Sequence, residues 1–377
     1  MSARRLRAIF VKELHHITRD ARSLAMALAM PLLMLLLYGY ALSLDVDHVP
    51  AFVYNQDGSE KSQDLVRQFQ GSRFFDIRGF VNGYPAIERG IDANRILMGL
   101  VIPRDYSQKI AEGREAPVQV ILDGSDSNTA SIVLGYAESV VRGYSGQLRA
   151  EVLNRRGGEH MQPPVDARLR VWYNTSLESK NYVVPGLIAV ILQIIAALLT
   201  SLTIAREWEM GTMEQLLSTP VRPVEIVLGK MMAYFVVGVA DAVIALLAGL
   251  FIFQVPMRGS LAFLAVSLCT FLFGSLCWGI FVSAAAKTQL QAYQMGVLSS
   301  FLPAFLLSGF VYSIETMPRV IQVITRIIPA RYVVVIMKGV FLKGVGVRIL
   351  WGELAFLALY AAAVFLLTTR KMHQKVA

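Results

Sequence analysis

The chain has 377 residues, of which 55% are apolar and 17% are charged, and its mean hydropathy is +0.51. Soluble domains carry about 25% charged residues, so the composition excludes an ordinary soluble protein, and with only two cysteines it also excludes a disulfide scaffold. The net charge of +9 comes from sequence outside residues 45–180, and a basic surplus in such an apolar chain indicates anionic lipid headgroups and not nucleic acid.

Residues 1–22 are predicted to form an amphipathic helix. Apolar residues recur there at helical spacing and basic residues surround them, a pattern typical of a helix lying in the membrane interface. The apolar positions are Leu6, Ile9, Phe10, Leu14 and Ile17. The adjacent His15 and His16 have no further metal ligands near them in sequence, so we interpret them as solvated side chains.

Six apolar runs are long enough to cross a bilayer, since a spanning helix needs about 20 apolar residues. They comprise residues 23–44, 181–205, 231–257, 259–286, 288–314 and 349–369. The sequence therefore predicts an α-helical polytopic membrane protein with six transmembrane helices. Helix 1 is residues 23–44, and helices 2–6 lie within residues 181–377.

Residues 45–180 form one large hydrophilic insertion between helices 1 and 2, predicted to be a small α/β domain outside the cytoplasm. Expected strands cover residues 49–54, 96–102, 118–122 and 169–173, and expected helices cover residues 103–111 and 127–156. Asp123, Asp126 and Asn128 could be interpreted as an acidic catalytic group, but after a strand they are more typical of a turn and helix cap.

Lys and Arg placement in the short flanks predicts that both termini are cytoplasmic and that residues 45–180 are periplasmic. Residues 315–348 disagree, because they carry six basic residues and must lie outside if there are six spans. Since this segment is also apolar, we interpret it as extracytoplasmic, interfacial or re-entrant helices with basic side chains that reach the headgroups.

Residues 206–220, at the start of a cytoplasmic segment 206–230, are predicted to form a short amphipathic helix that is broken at residues 218–220. Met210, Met213, Leu216 and Leu217 fall on one face, with Glu207 and Glu214 beside them. Such a face needs a partner protein or the membrane surface to cover it. Gly211 would let another backbone approach closely.

No nucleotide-binding loop is present, since Gly229 and Lys230 are followed by Met231 and lack the upstream glycine. No catalytic set or metal-ligand spacing stands out either. We therefore expect a chain that is not an enzyme, with no catalytic residues, no metal site and no cofactor of its own.

The run REWEMGTMEQLLSTP over residues 206–220 closely resembles the signature between helices 2 and 3 of type-2 ATP-binding cassette (ABC) exporter permeases. Residues 121–130, 172–174, 307–310, 317–318 and 328–332 are similar to the Ybh-type bacterial multidrug branch of that family. The resemblance covers essentially the whole chain, including the order of its parts.

The resemblance implies a permease subunit of an ATP-driven exporter of drugs or amphipathic compounds in the bacterial inner membrane, working by alternating access. It implies a second permease subunit, identical or homologous, and ABC ATP-binding subunits that carry ATP and Mg²⁺. A periplasmic membrane-fusion adaptor is a further possible partner. The matching positions that would couple this chain to the ATPase are Arg206, Glu207, Trp208, Glu209, Gly211, Thr212, Met213, Glu214, Leu217 and Pro220.

Two alternatives stay open at this point. Asp241 interrupts an apolar span, and an acidic residue within a membrane costs about 2.5–3.5 kcal/mol on insertion scales and is often functional. It could serve an ion-coupled secondary transporter, or it could be satisfied by a neighbour for structural reasons. The chain could also be a membrane-anchored scaffold for an efflux assembly. A neighbouring gene for an ABC ATP-binding subunit would decide for the exporter.

Overall fold

A computed structural model describes residues 2–41, 46–155, 173–174 and 178–376 of the chain. The chain divides into two compact units. One unit combines Met1–Ser43 with Val171–Ala377, and the other is Leu44–Arg170. The second unit agrees closely with the hydrophilic insertion that the sequence predicts.

Two helices precede the insertion. α1 spans Ala3–Arg19 and α2 spans Ala21–Ala41. α1 has basic residues on one side and buries Ile9 on the other, so the predicted amphipathic helix is confirmed. Its location in the cytoplasmic interface stays a prediction.

The inserted unit is an α/β fold built on a four-stranded sheet. Its elements are β1 Val49–Asn55, α3 Glu60–Gln70, β2 Phe75–Phe80, α4 Tyr84–Asp92, β3 Met98–Ile102, α5 Tyr106–Ala111, β4 Gln119–Leu122 and α6 Ser127–Arg155. The strand order is β2-β1-β3-β4. β1 pairs in parallel with β2 and β3, and β4 runs antiparallel to β3. β3 is buried along its whole length, as expected of a central strand covered on both faces.

Three of the predicted strands in this unit are confirmed as β1, β3 and β4, and the long predicted helix is α6. β2, α3 and α4 were not predicted. β2 has an apolar–polar alternation over only four residues, Phe75 to Arg78, before Gly79 interrupts it. The predicted strand over residues 169–173 lies outside the described residues except for Tyr173.

The second part of the helical unit follows. Its helices are α7 Ser179–Ser201, α8 Thr203–Glu209, α9 Thr212–Leu217, α10 Pro223–Leu247, α11 Leu261–Ala285, α12 Gln289–Leu307, α13 Arg319–Thr325, α14 Pro329–Lys338 and α15 Val347–Val376. A π-helical turn, Ala248–Ile252, continues α10, and another, Gly339–Lys343, continues α14.

In the described chain six helical stretches are long and apolar enough to cross a membrane, which confirms the predicted number. They are Leu24–Ala41, Ser179–Glu209, Pro223–Ile252, Leu261–Ala285, Gln289–Leu307 and Val347–His373. The protein is therefore a multi-pass membrane protein. Between the last two stretches, Arg319–Thr325 and Pro329–Lys343 form a bent pair at 83°. Helices were expected there, and a re-entrant position for this pair stays a prediction.

α7 is the central helix of the helical unit. It packs against α2, α10, α11, α12 and α14. In its most apolar stretch, 83% of the residues are buried. Its close contact with α11 depends on Gly279, where an added Cβ would lie 2.0 Å from the hydroxyl oxygen of Thr200. That hydroxyl donates to the Leu276 carbonyl at 3.0 Å. α11 thus fixes the end of α7, from which α8 emerges.

Candidate coupling site

The segment after α7 consists of two short helices separated by a glycine. α8 ends at Glu209, and Gly211 has a φ of 70°, a left-handed conformation that glycine adopts without steric cost. The Gly211 N–H donates to the Trp208 carbonyl at 3.2 Å, which closes the turn on the end of α8. The prediction of one continuous helix from residue 206 to a break at residues 218–220 is therefore wrong, because Gly211 interrupts it.

The expected apolar face of that helix is divided between two environments. Met213 is fully buried, whereas Met210 is 66% exposed. Leu216 is half-buried and packs against the core of the helical unit. The side chain of Leu217 lies outside the described residues. Most of these apolar residues therefore contact the chain's own helices, and Met210 alone among the described ones is open to a partner.

A group of four charged side chains, two of them buried, joins α8 to α1 and α10. This ion cluster consists of Lys12, Glu13, Glu207 and Lys230. The Lys230 ammonium lies 2.7 Å from Glu13 Oε1 and 3.0 Å from Glu207 Oε1. Lys12 Nζ lies 3.0 Å from the same Glu207 oxygen and 3.7 Å from Glu13 Oε1. Three segments that are distant in sequence therefore meet at one point.

Burial makes the ion cluster sensitive to the loss of any member. Lys230 is 1% exposed and Glu13 is 4% exposed. Removing one partner of a buried pair costs about 3–5 kcal/mol, because a charge is left without compensation. Lys12 lies nearer to water, and burial alone would lower its pKa. The hydrogen bond and charge of Glu207, with those of Glu13, outweigh burial and raise the pKa of Lys12 above its ordinary value, so Lys12 stays charged at neutral pH.

A second set of polar contacts joins the first turn of α1 to the start of α10. The Ser2 N–H donates to Glu225 Oε1 at 2.6 Å, and the Arg5 guanidinium lies 3.9 Å from Glu225 Oε2. Arg5 also donates to the Pro220 carbonyl. Pro220, a predicted coupling residue, is thus tied through its backbone to the N-terminal helix.

Between these two sets of contacts, α1 and α10 approach closely at Gly229. A Cβ at Gly229 would lie 2.6 Å from Cγ2 of Ile9, closer than side chains pack. Glycine here therefore allows α1 to lie against α10, and the neighbouring Lys230 can reach Glu13.

The opposite side of α8 is held by α11 and α12. The hydroxyl oxygen of Ser283 in α11 accepts from the N–H groups of Ile204 and Ala205 at 2.9 and 3.0 Å. Both carboxylate oxygens of Glu209 accept from Gln289, at 2.7 Å from its backbone N–H and 2.6 Å from its side-chain amide. α8 is therefore bonded to four other helices.

The structure divides the predicted coupling residues into two groups. The exposed residues are Arg206, Glu209, Gly211, Thr212, Glu214 and Pro220. Met213 is buried, and Glu207 and Trp208 are half-buried. Glu207 was expected to offer a free acceptor to a partner, but its Oε1 is held by Lys12 and Lys230.

A depression of about 500 Å³ adjoins the end of α8. It is lined by Trp208 and Glu209, by residues 284–287 at the C-terminal end of α11, and by Lys371 of α15. Its wall carries both charges and small apolar residues.

Asp241 lies apart from the ion cluster. It is 1% exposed, and neither carboxylate oxygen has a hydrogen-bond partner among the described residues. Eleven residues of helix separate it from Lys230, a distance of about 16 Å along α10. Its position within a span is as predicted, and a role for it is not established by this geometry.

Within the described ranges, no group of three or more His, Cys, Asp or Glu side chains could hold a metal ion. Cys269 and Cys277 are both free thiols, and Cys277 is buried. The chemistry of the site is therefore that of ion pairs and helix contacts.

Sequence analysis missed Lys12, Glu13, Lys230 and Glu225. One signal was available for Glu13, which follows Ile9 by four residues and so lies on the apolar side of α1. Lys230 was weighed only as part of a nucleotide-binding loop. A single lysine entering an apolar helix is itself a sign of a buried partner.

Comparison with known proteins identifies the family to which the chain belongs. A model of the ABC-2 family transporter protein matches residues 21–370. The chain is 36% identical over 345 residues to the probable multidrug ABC transporter permease YbhS of Escherichia coli K12, covering 91% of this chain and 90% of that protein. It is 32% identical over 352 residues to the probable multidrug ABC transporter permease YbhR, covering 93% of each.

A more distant relative covers the whole length. The inner membrane transport permease YhhJ of Escherichia coli K12 is 24% identical over an alignment of 379 positions, gaps included. The alignment covers 99% of this chain and 99% of YhhJ. The family match begins after α1 and covers the inserted unit and the candidate spans as far as residue 370. The chain therefore belongs to the ABC-2 transporter family and is a permease subunit of an ABC exporter.

Proposed function

We propose that this permease exports drugs or other amphipathic compounds from the bacterial inner membrane, and that α8 and α9 transmit the movement of an ATPase into its spans. The observation that carries the proposal is the position of α8. It bonds to α1, α10, α11 and α12 through Lys12, Lys230, Ser283 and Gln289. The names of YbhS and YbhR, both multidrug permeases, support the substrate class.

The partner surface in this proposal is the exposed end of the segment. Met210, Glu214 and Gln215 are open, and Glu214 makes no ion pair in the described part of the chain. An ABC ATP-binding subunit, which the family implies, would cover them with an apolar groove edged by basic residues. ATP and Mg²⁺ belong to that subunit. Because α8 is tied to four helices, its displacement would move them together.

Reconstitution of the full chain with its ABC ATP-binding subunit tests this function. We expect the two to copurify from detergent, and we expect ATP hydrolysis in liposomes to rise when an amphipathic drug is added. Omitting ATP while keeping a proton gradient is the control, and it should give no transport. Transport that survives without ATP and stops when the proton gradient is collapsed would support the ion-coupled alternative based on Asp241.

The proposal includes an orientation, with both termini cytoplasmic and the inserted unit periplasmic. In intact spheroplasts, Ser125→Cys should react with a membrane-impermeant thiol reagent and Ser218→Cys should not. Both positions are exposed, so access to the reagent decides the result. The parent chain, with Cys269 and Cys277 alone, sets the background. Labelling of Ser218→Cys without Ser125→Cys would reverse the orientation.

A second permease subunit, identical or homologous, would complete the exporter. The lipid-facing helices provide wide apolar faces for it, including the exposed Tyr293 and Leu298 on α12. A periplasmic membrane-fusion adaptor would contact the inserted unit. Crosslinking between two differently tagged copies of the chain in membranes distinguishes pairing from a single permease.

A further inference from the structure

A cavity of about 590 Å³ lies beside the ion cluster. It is a half-open cavity lined by residues of α1, α2, α7, α8, α9 and α10 within the helical unit. This volume falls in the range of small-molecule sites, about 300–1,000 Å³. Neither the coupling proposal nor the family assignment uses it.

One end of the cavity is apolar. Met26, Met30 and Met34, each four residues apart on α2, line one side, and Leu198 of α7 and Val237 of α10 line the other. From Met26 to Met34 the helix rises about 12 Å, close to the thickness of one leaflet of hydrocarbon, about 15 Å. Unbranched methionine side chains adapt to a flexible apolar ligand.

The lining also carries charged side chains of both signs, and one of its cations has no counterion among the described residues. Arg206 lines the cavity, is exposed, and makes no ion pair or hydrogen bond through its guanidinium in the described residues. Lys12 also lines it, with 55% of its side chain exposed. Two carboxylates there, Glu13 and Glu207, are already engaged by lysines.

The second carboxylate oxygen of Glu207, Oε2, is buried from solvent and has no hydrogen-bond partner among the described residues, so it does not face the open volume. Asp20, at the end of α1, is a further carboxylate of the lining. Arg206 is thus the lining cation that no ion pair engages in the described chain, and the ammonium of Lys12, which Glu207 and Glu13 share, lies beside it with an exposed side chain.

We propose that this cavity holds one anionic phospholipid, with its phosphate between Arg206 and Lys12 and an acyl chain along the three methionines of α2. The site is assembled from α1, α2 and α8, so the bound lipid connects the N-terminal helix to the segment that follows α7. The proposal concerns a lipid site and does not depend on the identity of the transported compound.

Native mass spectrometry of the full chain in detergent tests the proposal with two lipids of identical acyl chains. Phosphatidylglycerol carries a net negative charge and phosphatidylcholine does not. We expect saturable binding of one phosphatidylglycerol per chain, with phosphatidylcholine bound about ten-fold more weakly. Inorganic phosphate should not displace the lipid, since it lacks the acyl chain. Equal binding of both lipids, or no saturation at one, would mean a nonselective annulus and overturn the proposal.

Two variants locate the site, and a third is their control. Arg206→Gln should weaken phosphatidylglycerol binding roughly five-fold, the effect of one Lys or Arg near an anionic headgroup. Met30→Trp should reduce the binding of both lipids by filling the apolar end. Arg258→Gln neutralises an exposed arginine on another loop and should change nothing. If Met30→Trp does not fold, Met26→Trp replaces it. Identical effects of Arg206→Gln and Arg258→Gln would disprove this location.

Discussion

Replacement of Lys230 by methionine is expected to lower the stability of the chain by about 3–5 kcal/mol, because Glu13 and Glu207 would remain buried without their shared ammonium. Methionine keeps a similar length and volume, so little of the loss would come from packing. The thermal unfolding midpoint of the detergent-solubilised chain measures the effect. Limited trypsin digestion gives a local readout, since α1 should become cleavable at Arg5 and Arg7 once its contact with α10 is weakened.

Two further variants separate the loss of the cluster from the loss of a lysine. Lys343→Met removes an exposed lysine and should change stability by less than about 0.5 kcal/mol. Adding Glu13→Gln and Glu207→Gln to Lys230→Met removes the uncompensated charges and should recover most of the lost stability. If Lys230→Met unfolds at the same temperature as Lys343→Met, the ion cluster contributes nothing to the fold.

The same substitution at two glutamates seven residues apart is expected to have opposite consequences. Glu207→Lys would place a third ammonium beside Lys12 and Lys230, so the folded chain should be lost or strongly destabilised. Glu214→Lys changes an exposed side chain and should leave unfolding unchanged. It should nonetheless weaken association with the ATP-binding subunit about ten-fold or more, because like charges would face each other across the interface.

Copurification and drug-stimulated ATP hydrolysis measure the weaker association expected of Glu214→Lys. The unfolding midpoint measures the destabilisation expected of Glu207→Lys. Glu88→Lys, on an exposed position of the inserted unit, is the matched control and should leave both unchanged. Normal association and ATP hydrolysis in Glu214→Lys would show that α9 does not contact the ATPase. A stable, active Glu207→Lys protein would contradict the role of the ion cluster.

The spans were predictable because the bilayer imposes one solution on each of them. A chain inside hydrocarbon must satisfy its backbone within the helix and expose apolar side chains, so a long run without charges is sufficient to recognise it. The strands β1 and β3 were predictable for a related reason, as their continuous apolar runs indicate burial. β2 was not predictable in this way, because only its first residue is buried and its apolar–polar alternation is interrupted at Gly79.

The interior of the coupling site was not predictable from periodicity. A helical wheel treats Gly211 as one more position, whereas its φ of 70° stops the helix and separates Met210 from Met213. The partners of Glu207 come from α1 and α10, and no local pattern specifies which distant lysine a glutamate will meet. Periodicity therefore did not reveal that two lysines of the chain hold Glu207 and that Met213 is buried.

The ion cluster also sets an order of events during synthesis. Glu13 is separated from Lys230 by 217 residues, so α1 leaves the ribosome long before its partner exists. At about 5–20 residues per second, that interval is about 10–40 s. Throughout it, Glu13 has to remain hydrated or at the lipid surface, since a lone carboxylate cannot enter the apolar interior. α1 therefore stays without its partner while the inserted unit and two spans are made, and it closes onto α10 only when the third span has been inserted.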